Sequence, residues 1–200
     1  MAKSRLKSPR ARLFVALELP DSVRAALADW QERELADPAL RAVRAQALHV
    51  TLVFLGYRAE KEIERVAAAA LVEHEAPEMR LEPEPVGVPR GRRPRLFALD
   101  APSPGAVALQ AEVEGRLVEA GLHQAERRPF WPHVTVARVR PAARGARKPA
   151  QVERPPGRFP GAEQTFPPFR PTRLVLFRSN LRPTGAEYEP MAERELPDAS

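Results

Sequence analysis

The 200-residue chain contains no cysteine, which excludes a disulfide framework and any zinc site built from thiolates. It also lacks a hydrophobic run long enough to suggest a membrane span, and its basic start is not followed by a signal-peptide pattern. The G-x-S-x-G elbow, the Walker A loop and the H-E-x-x-H metal motif are missing as well. We therefore expect a cytoplasmic protein that needs neither a metal nor another cofactor.

What the chain has in excess is positive charge. Lys and Arg number 32 against 26 Asp and Glu, so the formal net charge is +6. Such a balance favours a polyanionic partner such as nucleic acid, although it concerns association and not the fold. The length is sufficient for one domain with a real core. We predict a single domain over residues 12–196, a flexible basic leader at 1–11, a short tail at 197–200, and a monomer.

One short pattern occurs twice, as His49-Val50-Thr51-Leu52 and as His133-Val134-Thr135-Val136. In a β-strand alternate side chains share a face, so the His and Thr of each quartet project together. The chain has only four His and five Thr, and two such quartets would arise in roughly 0.4% of shuffled chains. The alternative is two ordinary core strands that each carry a half-buried His. The repeat favours two imidazoles, each with a hydroxyl beside it, that face a phosphate as an acid–base pair.

The surroundings of the quartets repeat too. Each quartet follows an apolar strand and an amphipathic helix: Arg12–Leu19 and the face Val23, Leu27 and Trp30 in the first case, Leu96–Leu99 and the face Leu109, Val113, Leu117 and Ala120 in the second. Pro102-Ser103-Pro104 marks the start of the second helix, and Gly121 its end. This repetition indicates an internal duplication. Two halves related by a pseudo-twofold axis would bring both His/Thr strands to one central cleft.

The remaining elements are predicted from shorter signals. We expect the first His/Thr strand over Ala47–Leu55, ended by Gly56, and then a helix with the apolar face Ile63, Val66, Ala67, Ala70 and Leu71, bounded by Pro77. Arg80–Val88 is predicted as an interrupted edge strand, Arg173–Arg178 as a strand, and Tyr188–Leu196 as a last strand that pairs with it.

Several other residues have two possible roles. The basic loop Arg90–Arg95 and the proline- and arginine-rich segment 141–171 could be solvated connectors or could contact RNA. Phe130 and Trp131 could stack on a base, pack in the core, or line the approach to His133. The sequence favours surface positions for four further polar residues near the motifs or helix ends: His74, Asp100, His123 and Glu126.

The phrases LHVTLVFLG and RRPFWPHVTVARVR resemble those of the RNA 2′,3′-cyclic phosphodiesterases, also called 2′-5′ RNA ligases, of the 2H phosphoesterase superfamily. The resemblance extends from about Arg12 to about Leu196. It implies a bilobal α+β fold, with two pseudo-twofold-related lobes whose antiparallel sheets flank a central cleft and whose helices lie outside. It also implies metal-independent hydrolysis of a terminal 2′,3′-cyclic phosphodiester of RNA to a 2′-phosphomonoester.

Carried over residue by residue, the resemblance makes His49 the proton donor and His133 the proton acceptor. Thr51, Thr135 and Arg138 would bind the phosphate. Strict alternation places Arg138 on the opposite face from Thr135, so its role requires a bulge or the end of the strand. The alternatives are a 2′-5′ RNA ligase, a phosphodiesterase for small cyclic nucleotides, or an RNA- or nucleotide-binding module without turnover.

Overall fold

The structure is a computed structural model that describes residues 9–143, 145–160, 166–182 and 185–197. These residues form the following strands and helices: β1 (Arg10–Glu18), α1 (Asp21–Glu34), β2 (Leu40–Ala42), β3 (His49–Ala59), α2 (Ile63–Ala70), β4 (Val86–Val88), β5 (Leu96–Asp100), α3 (Pro104–Glu119), β6 (His133–Val139), β7 (Arg173–Arg182) and β8 (Gly185–Glu195). All strand pairs are antiparallel, in the order β4-β5-β6-β3-β1-β7-β8, and β2 pairs with β6.

The sheet has two halves that meet at one residue pair. One half contains β3, β1, β7 and β8, and the other contains β4, β5, β6 and β2. Among the described residues, the two halves pair only where Val50 lies opposite Val134, and both side chains are fully buried. Each of these valines stands between the His and the Thr of its quartet. The antiparallel α+β fold expected from the sequence is confirmed, and the junction places the two quartets side by side.

The helices bury the faces that their sequences predict. α1 buries Val23, Leu27 and Trp30. α3 begins at Pro104 after the N-cap Ser103, whose hydroxyl oxygen accepts a hydrogen bond from the Ala106 N–H at 3.1 Å. Gly121, one residue beyond its C-cap, has a positive φ of 68°, as expected for a helix-terminating glycine. The repeated strand–helix–strand unit is therefore present in the fold.

The last two strands return to the first half of the sheet. β7 pairs with β1, and β8 pairs with β7, which confirms the predicted pairing of the two final strands. This return brings Ser179 and Tyr188 to the same side of the sheet as His49. The C-terminal hairpin thus completes a wall of the central cleft, and one half of the fold is built from both ends of the chain.

Several predicted boundaries were wrong. β3 continues to Ala59, because Gly56 adopts a φ of 67° inside a bulge and does not end the strand. Of the predicted strand Arg80–Val88 only Val86–Val88 forms a strand, since Pro83 and Pro85 have no N–H to donate to a neighbouring strand. α2 ends at Ala70, well before Pro77.

The segment 141–171 contains no helix or named strand in its described parts, which are 141–143, 145–160 and 166–171. It is nevertheless attached to the body of the protein. Asp37 accepts hydrogen bonds from the backbone N–H groups of Arg154 and Glu153, each at 2.8 Å, and these bonds hold the pKa of Asp37 below its ordinary value. The Trp30 indole N–H donates to the Arg158 carbonyl at 3.0 Å. These contacts fix the middle of the segment beside α1.

The predicted leader and tail fall largely outside the described residues. β1 begins at Arg10, two residues inside the segment predicted as leader, and residues 1–8 and 198–200 are not described. In the ranges that the structure does describe, no helix is both long and apolar enough to cross a bilayer.

Candidate active site

A cavity of about 460 Å³ lies where the two halves of the sheet meet. Both quartets line it through His49, Thr51, His133 and Thr135, while the intervening Val50 and Val134 face the core. Strand alternation explains this arrangement, as the sequence predicted. Arg138 lines the same cavity, so the fold brings together all five residues that the sequence singled out.

The two imidazoles are held in the same orientation. The Nδ1–H of His49 donates to the Ala47 carbonyl oxygen at 2.8 Å, and the Nδ1–H of His133 donates to the Trp131 carbonyl oxygen at 2.7 Å. Because a carbonyl oxygen can only accept, the hydrogen of each neutral ring resides on Nδ1 and Nε2 is left as an acceptor. The Thr51 hydroxyl lies 3.0 Å from Nε2 of His49 and donates to it. Nε2 is thus the reactive nitrogen of both residues.

A bulge in β6 places Arg138 on the face of Thr135. Ala98 pairs with Thr135 and Phe97 pairs with Ala137, which leaves Val136 as an extra residue. Val136 and Ala137 are consecutively buried, and the alternation is thereby shifted by one position. This bulge meets the condition that the sequence set for a role of Arg138.

Gln31 of α1 supports this bulge. Its buried side-chain amide donates to the Val136 carbonyl oxygen at 2.6 Å and to the Val43 carbonyl oxygen at 3.0 Å. The Val43 N–H also donates to the Val136 carbonyl oxygen, at 3.0 Å. Gln31 therefore fixes the backbone two residues before Arg138. It was not identified from the sequence, because a single glutamine on a helix gives no signal of the strand that it contacts.

We expect Gln31→Met to lower kcat/KM by about tenfold, because a methionine fills the space but cannot hold the bulge that orients Arg138. The loss of two hydrogen bonds to buried carbonyls should also destabilise the fold by about 1–3 kcal/mol. Kinetics of Gln31→Met, Arg138→Ala and the double variant, with thermal unfolding of each, provide the check. Effects on kcat/KM that simply add would show that Gln31 does not act through Arg138.

Burial shapes the acid–base properties of both histidines. It lowers the pKa of His49 to about 4, opposed by the hydrogen bond to Ala47 and reinforced by the nearby charges of His133 and Arg138. Burial also lowers the pKa of His133, opposed by the hydrogen bond to Trp131 and by the carboxylate of Asp100. Both rings are therefore neutral at pH 7 when no anion is bound beside them. The ring that acts as an acid must gain its proton when an anion binds.

Trp131 and Asp100 form a support for His133. The Trp131 ring is stacked on the imidazole, with centroids 3.9 Å apart and planes 15° from parallel. The Trp131 indole N–H donates to the Asp100 carboxylate at 2.9 Å, and Asp100 lies opposite His133 in the β5–β6 register. Of the two roles open for Trp131, the structure supports lining of the site. Asp100 was predicted as an ordinary surface charge, and this prediction was wrong because strand pairing decides its position.

Asp100→Asn should shift to lower pH the limb of the kcat/KM profile that reports the pKa of His133. The carboxylate raises the pKa of His133, so its neutralisation must lower that pKa further, while the amide oxygen can still accept from Trp131. The pH dependence of kcat/KM for the variant and the unmodified protein measures the shift. An unchanged profile with a lower kcat at every pH would limit Asp100 to positioning Trp131.

The two halves differ at matching positions. Glu18 lies opposite His49 as Asp100 lies opposite His133, but Glu18 forms ion pairs with Arg24 at 2.7 Å and Arg173 at 2.6 Å. Phe54 follows Thr51 by three residues, after a bulge like that in β6, and so occupies the place that Arg138 has in the other half. The sequence held a signal for this, since RLFVALE and RLFALD both run from Arg through Leu-Phe to an acid.

Other residues lie apart from the reactive groups. His123 was predicted at the surface, but its side chain is only 7% exposed and lies 3.4 Å from Glu114, because the turn after α3 folds back on that helix. Glu126, through its backbone N–H, also donates to Glu114 and is exposed. Arg90 of the basic loop lies 3.6 Å from Asp100, with its guanidinium 5.7 Å from the Trp131 ring centroid. These three residues therefore do not add a reactive group to the cleft.

Comparison with known proteins identifies the family. Residues 19–179 match the model of the 2′-5′ RNA ligase superfamily. An RNA 2′,3′-cyclic phosphodiesterase of Thermus thermophilus is 35% identical over 185 residues, which cover 88% of this chain and 86% of that protein. One of Escherichia coli is 31% identical over 128 residues, 64% of this chain and 71% of the relative. The chain belongs to the 2′-5′ RNA ligase superfamily.

Solved structures show the same architecture. A crystal structure of a Thermus thermophilus protein superposes with a TM-score of 0.74, at 29% identity, and covers 94% of this chain and 100% of its own. The match extends over both halves of the sheet, and not over one half alone. The bilobal arrangement of this chain is thus shared with a solved relative.

Proposed function

We propose that this protein is an RNA 2′,3′-cyclic phosphodiesterase that hydrolyses a terminal cyclic phosphate to a 2′-phosphomonoester. The observation that carries the proposal is the pair of Nε2 atoms, both fixed by Nδ1–H bonds to backbone carbonyls and both beside one cavity with two threonines and an arginine. Two matched imidazoles suit a reaction that needs one base and one acid. Relatives at 35% and 31% identity that bear this activity in their names support it.

The chemistry assigns one task to each histidine. His133, neutral at Nε2, takes a proton from the water that attacks phosphorus. His49, protonated at Nε2, donates its proton to the ribose 3′ oxygen as the bond from that oxygen to phosphorus breaks. One water is consumed, one proton is moved by each ring, and the product carries its phosphate on the 2′ oxygen. This division between the two rings follows the resemblance described above.

Thr51, Thr135 and Arg138 act on the phosphate. The hydroxyls donate hydrogen bonds to its non-bridging oxygens, and the guanidinium balances charge that moves onto them in the transition state. In the structure Thr51 donates to Nε2 of His49. When that nitrogen gains a proton, it can no longer accept, and the Thr51 hydroxyl becomes available for the phosphate. Protonation of His49 and release of the Thr51 hydroxyl for the phosphate are thereby linked.

Binding of the substrate raises the proton affinity of His49. The low pKa of His49 arises from burial and from the positive charges of His133 and Arg138. A cyclic phosphate carries one negative charge, and an anion within 4–6 Å favours the protonated ring. Binding therefore raises the pKa of His49 and creates the acid where it is needed. A His49 that is neutral before the substrate binds is therefore compatible with its role as proton donor.

The test is incubation with an oligonucleotide that ends in a 2′,3′-cyclic phosphate, followed by comparison of the product with 2′- and 3′-phosphate standards. We expect the 2′-phosphate alone. A 3′-phosphate product would mean that the 2′ oxygen, and not the 3′ oxygen, is the leaving group. Joined strands would indicate ligation, and a substrate that remains unchanged would contradict the proposed activity. The Arg65→Gln variant serves as a control for preparation and handling, because Arg65 is exposed on α2.

A further inference from the structure

Four arginines gather at the edge of the cleft formed by β2 and β6: Arg41, Arg44, Arg138 and Arg140. Arg41 and Arg138 are direct cross-strand partners. A smaller cavity of about 180 Å³ is lined by Arg41, Arg44 and Arg138, and it shares the wall formed by Ala47 and Tyr188 with the catalytic cleft. The basic edge is therefore continuous with the site of the reaction.

This concentration of charge is unfavourable for the protein alone. Like charges on directly opposed residues destabilise a sheet. The pKa of Arg41 is lowered, first by burial and then by the charges of Arg140, Arg138 and Arg44. An anion held between these side chains would relieve the repulsion, which is the arrangement expected where a polyanion binds.

Carboxylates compensate little of this charge. Within the described part of the chain, Arg44, Arg138 and Arg140 form no ion pair, whereas Arg173 and Arg178 on β7 each pair with a glutamate. Glu187 does line the smaller cavity. One carboxylate against three arginines still leaves the cavity positive, so its chemistry suits a phosphate group.

We propose that Arg41 and Arg44 bind the phosphodiester on the 5′ side of the terminal nucleotide, so that the RNA chain leaves the catalytic cleft across β2. This inference rests on the proposed function, because it takes the terminal phosphate to lie at Arg138. β2 lies one strand spacing, about 4.8 Å, beyond β6, and long arginine side chains extend that reach. The next phosphate along the chain, one ribose away, falls within it.

The other basic segments offer a weaker route. Arg93 donates to the side-chain oxygen of Gln151 at 3.1 Å, and Arg158 pairs with Glu84 at 2.9 Å. Arg90 is engaged by Asp100 and Trp131. These groups are already partnered within the protein, and Arg144 lies outside the described residues. Contact of the segments 90–95 and 144–158 with RNA remains a prediction from the sequence, and it is the competing outcome of the test below.

The experiment compares a nucleoside 2′,3′-cyclic phosphate with the same compound carrying a 5′-phosphate. In the unmodified protein the 5′-phosphate should lower KM about tenfold with little change in kcat. The double variant Arg41→Gln/Arg44→Gln should lose this advantage, while its kcat/KM for the compound without a 5′-phosphate stays within a few-fold of the original. For an oligonucleotide substrate, the slope of log KM against log salt should fall by about 0.7, the value for one phosphate contact in a single strand.

The matched control is Arg65→Gln/Arg116→Gln, which removes the same charge from exposed positions on α2 and α3. It should leave the effect of the 5′-phosphate intact. A 5′-phosphate without effect, or an effect that survives in Arg41→Gln/Arg44→Gln, would overturn the inference and favour the other basic segments. Equal losses on both compounds would assign the two arginines to the terminal phosphate or to folding.

Direct binding separates this inference from the proposed function. Titration with a nucleoside 2′-phosphate, with and without a 5′-phosphate, requires no turnover. If neither cyclic compound is hydrolysed but the 5′-phosphate still strengthens binding through Arg41 and Arg44, the proposed activity is wrong. The inference that these two arginines bind the 5′-side phosphate is then retained. If hydrolysis proceeds and the 5′-phosphate contributes nothing to binding, only the inference about the basic edge fails.

Discussion

His49→Ala and His133→Ala should each reduce kcat/KM for a 2′,3′-cyclic phosphate substrate by about 10²–10⁴-fold, because each variant removes one half of the acid–base pair. The double variant should be little worse than either single variant, since the two rings act as one unit. Thr51→Ala and Thr135→Ala should have smaller effects, because each removes one hydrogen bond to a charged group, worth about 1.5–3 kcal/mol. Steady-state kinetics on a cyclic mononucleotide measures all five proteins.

The control for these variants is His74→Ala. His74 lies after α2 with its Nδ1–H bonded to the Glu75 carbonyl, outside the cleft. It should retain full activity. Thermal unfolding and circular dichroism check that the two inactive variants are folded. A folded His49 or His133 variant with a near-normal rate would remove that residue from the mechanism.

The pH profile of kcat/KM should be two-sided, with its maximum on the acid side of pH 6.5. This parameter reports the free enzyme, in which burial lowers the pKa of both histidines, that of His49 to about 4. The productive form carries one proton on the pair, so the rate falls about tenfold per pH unit above the upper macroscopic pKa and below the lower one. The alkaline limb of kcat should lie at higher pH, because the bound phosphate favours the protonated ring.

The same rates should be unaffected by a chelator. Among the described residues no group of three or more His, Cys, Asp or Glu is placed to hold a metal ion, and the proposed mechanism assigns the phosphate to imidazole, hydroxyl and guanidinium groups. Hydrolysis measured from about pH 3 to 9, with and without EDTA, tests both statements. Activity that EDTA abolishes and a divalent metal restores, or a kcat/KM maximum above pH 8, would contradict the two-histidine mechanism.

The near-symmetry of the cleft raises the question of how equivalent histidines acquire different tasks. The quartets, the Nδ1–H bonds and the bulges match between the two halves. The differences lie in the residues that surround the two quartets. Asp100 acts on His133, whereas Glu18 is engaged by Arg24 and Arg173, and Arg138 stands where the first half has Phe54. These outer residues make a symmetric pair of rings unequal.

The elements that depend on local pattern were predictable. Alternation within each quartet places His and Thr on one face, a property of any extended strand. The apolar faces of α1 and α3 follow from helical spacing, as Leu27 and Leu109 illustrate by being fully buried. The repeated strand–helix–strand unit predicted that the two quartets meet at one cleft, and the family likeness implied the same arrangement. The composition also indicated an irregular segment at 141–171, which forms no named strand in its described parts.

The sequence by itself determined which groups carry the chemistry: two His/Thr quartets in strands, Arg138 two residues beyond the second, and no thiolate. Only the tertiary structure decided where the surrounding groups lie. Contacts between distant segments produce the bulges that turn Arg138 and Phe54 toward the cleft. Such contacts also place the Gln31 amide at the bulge before Arg138, and the Asp100 carboxylate opposite His133. Local periodicity carries no information about such contacts, because strand register and hydrogen-bond partners are set by packing against the rest of the chain.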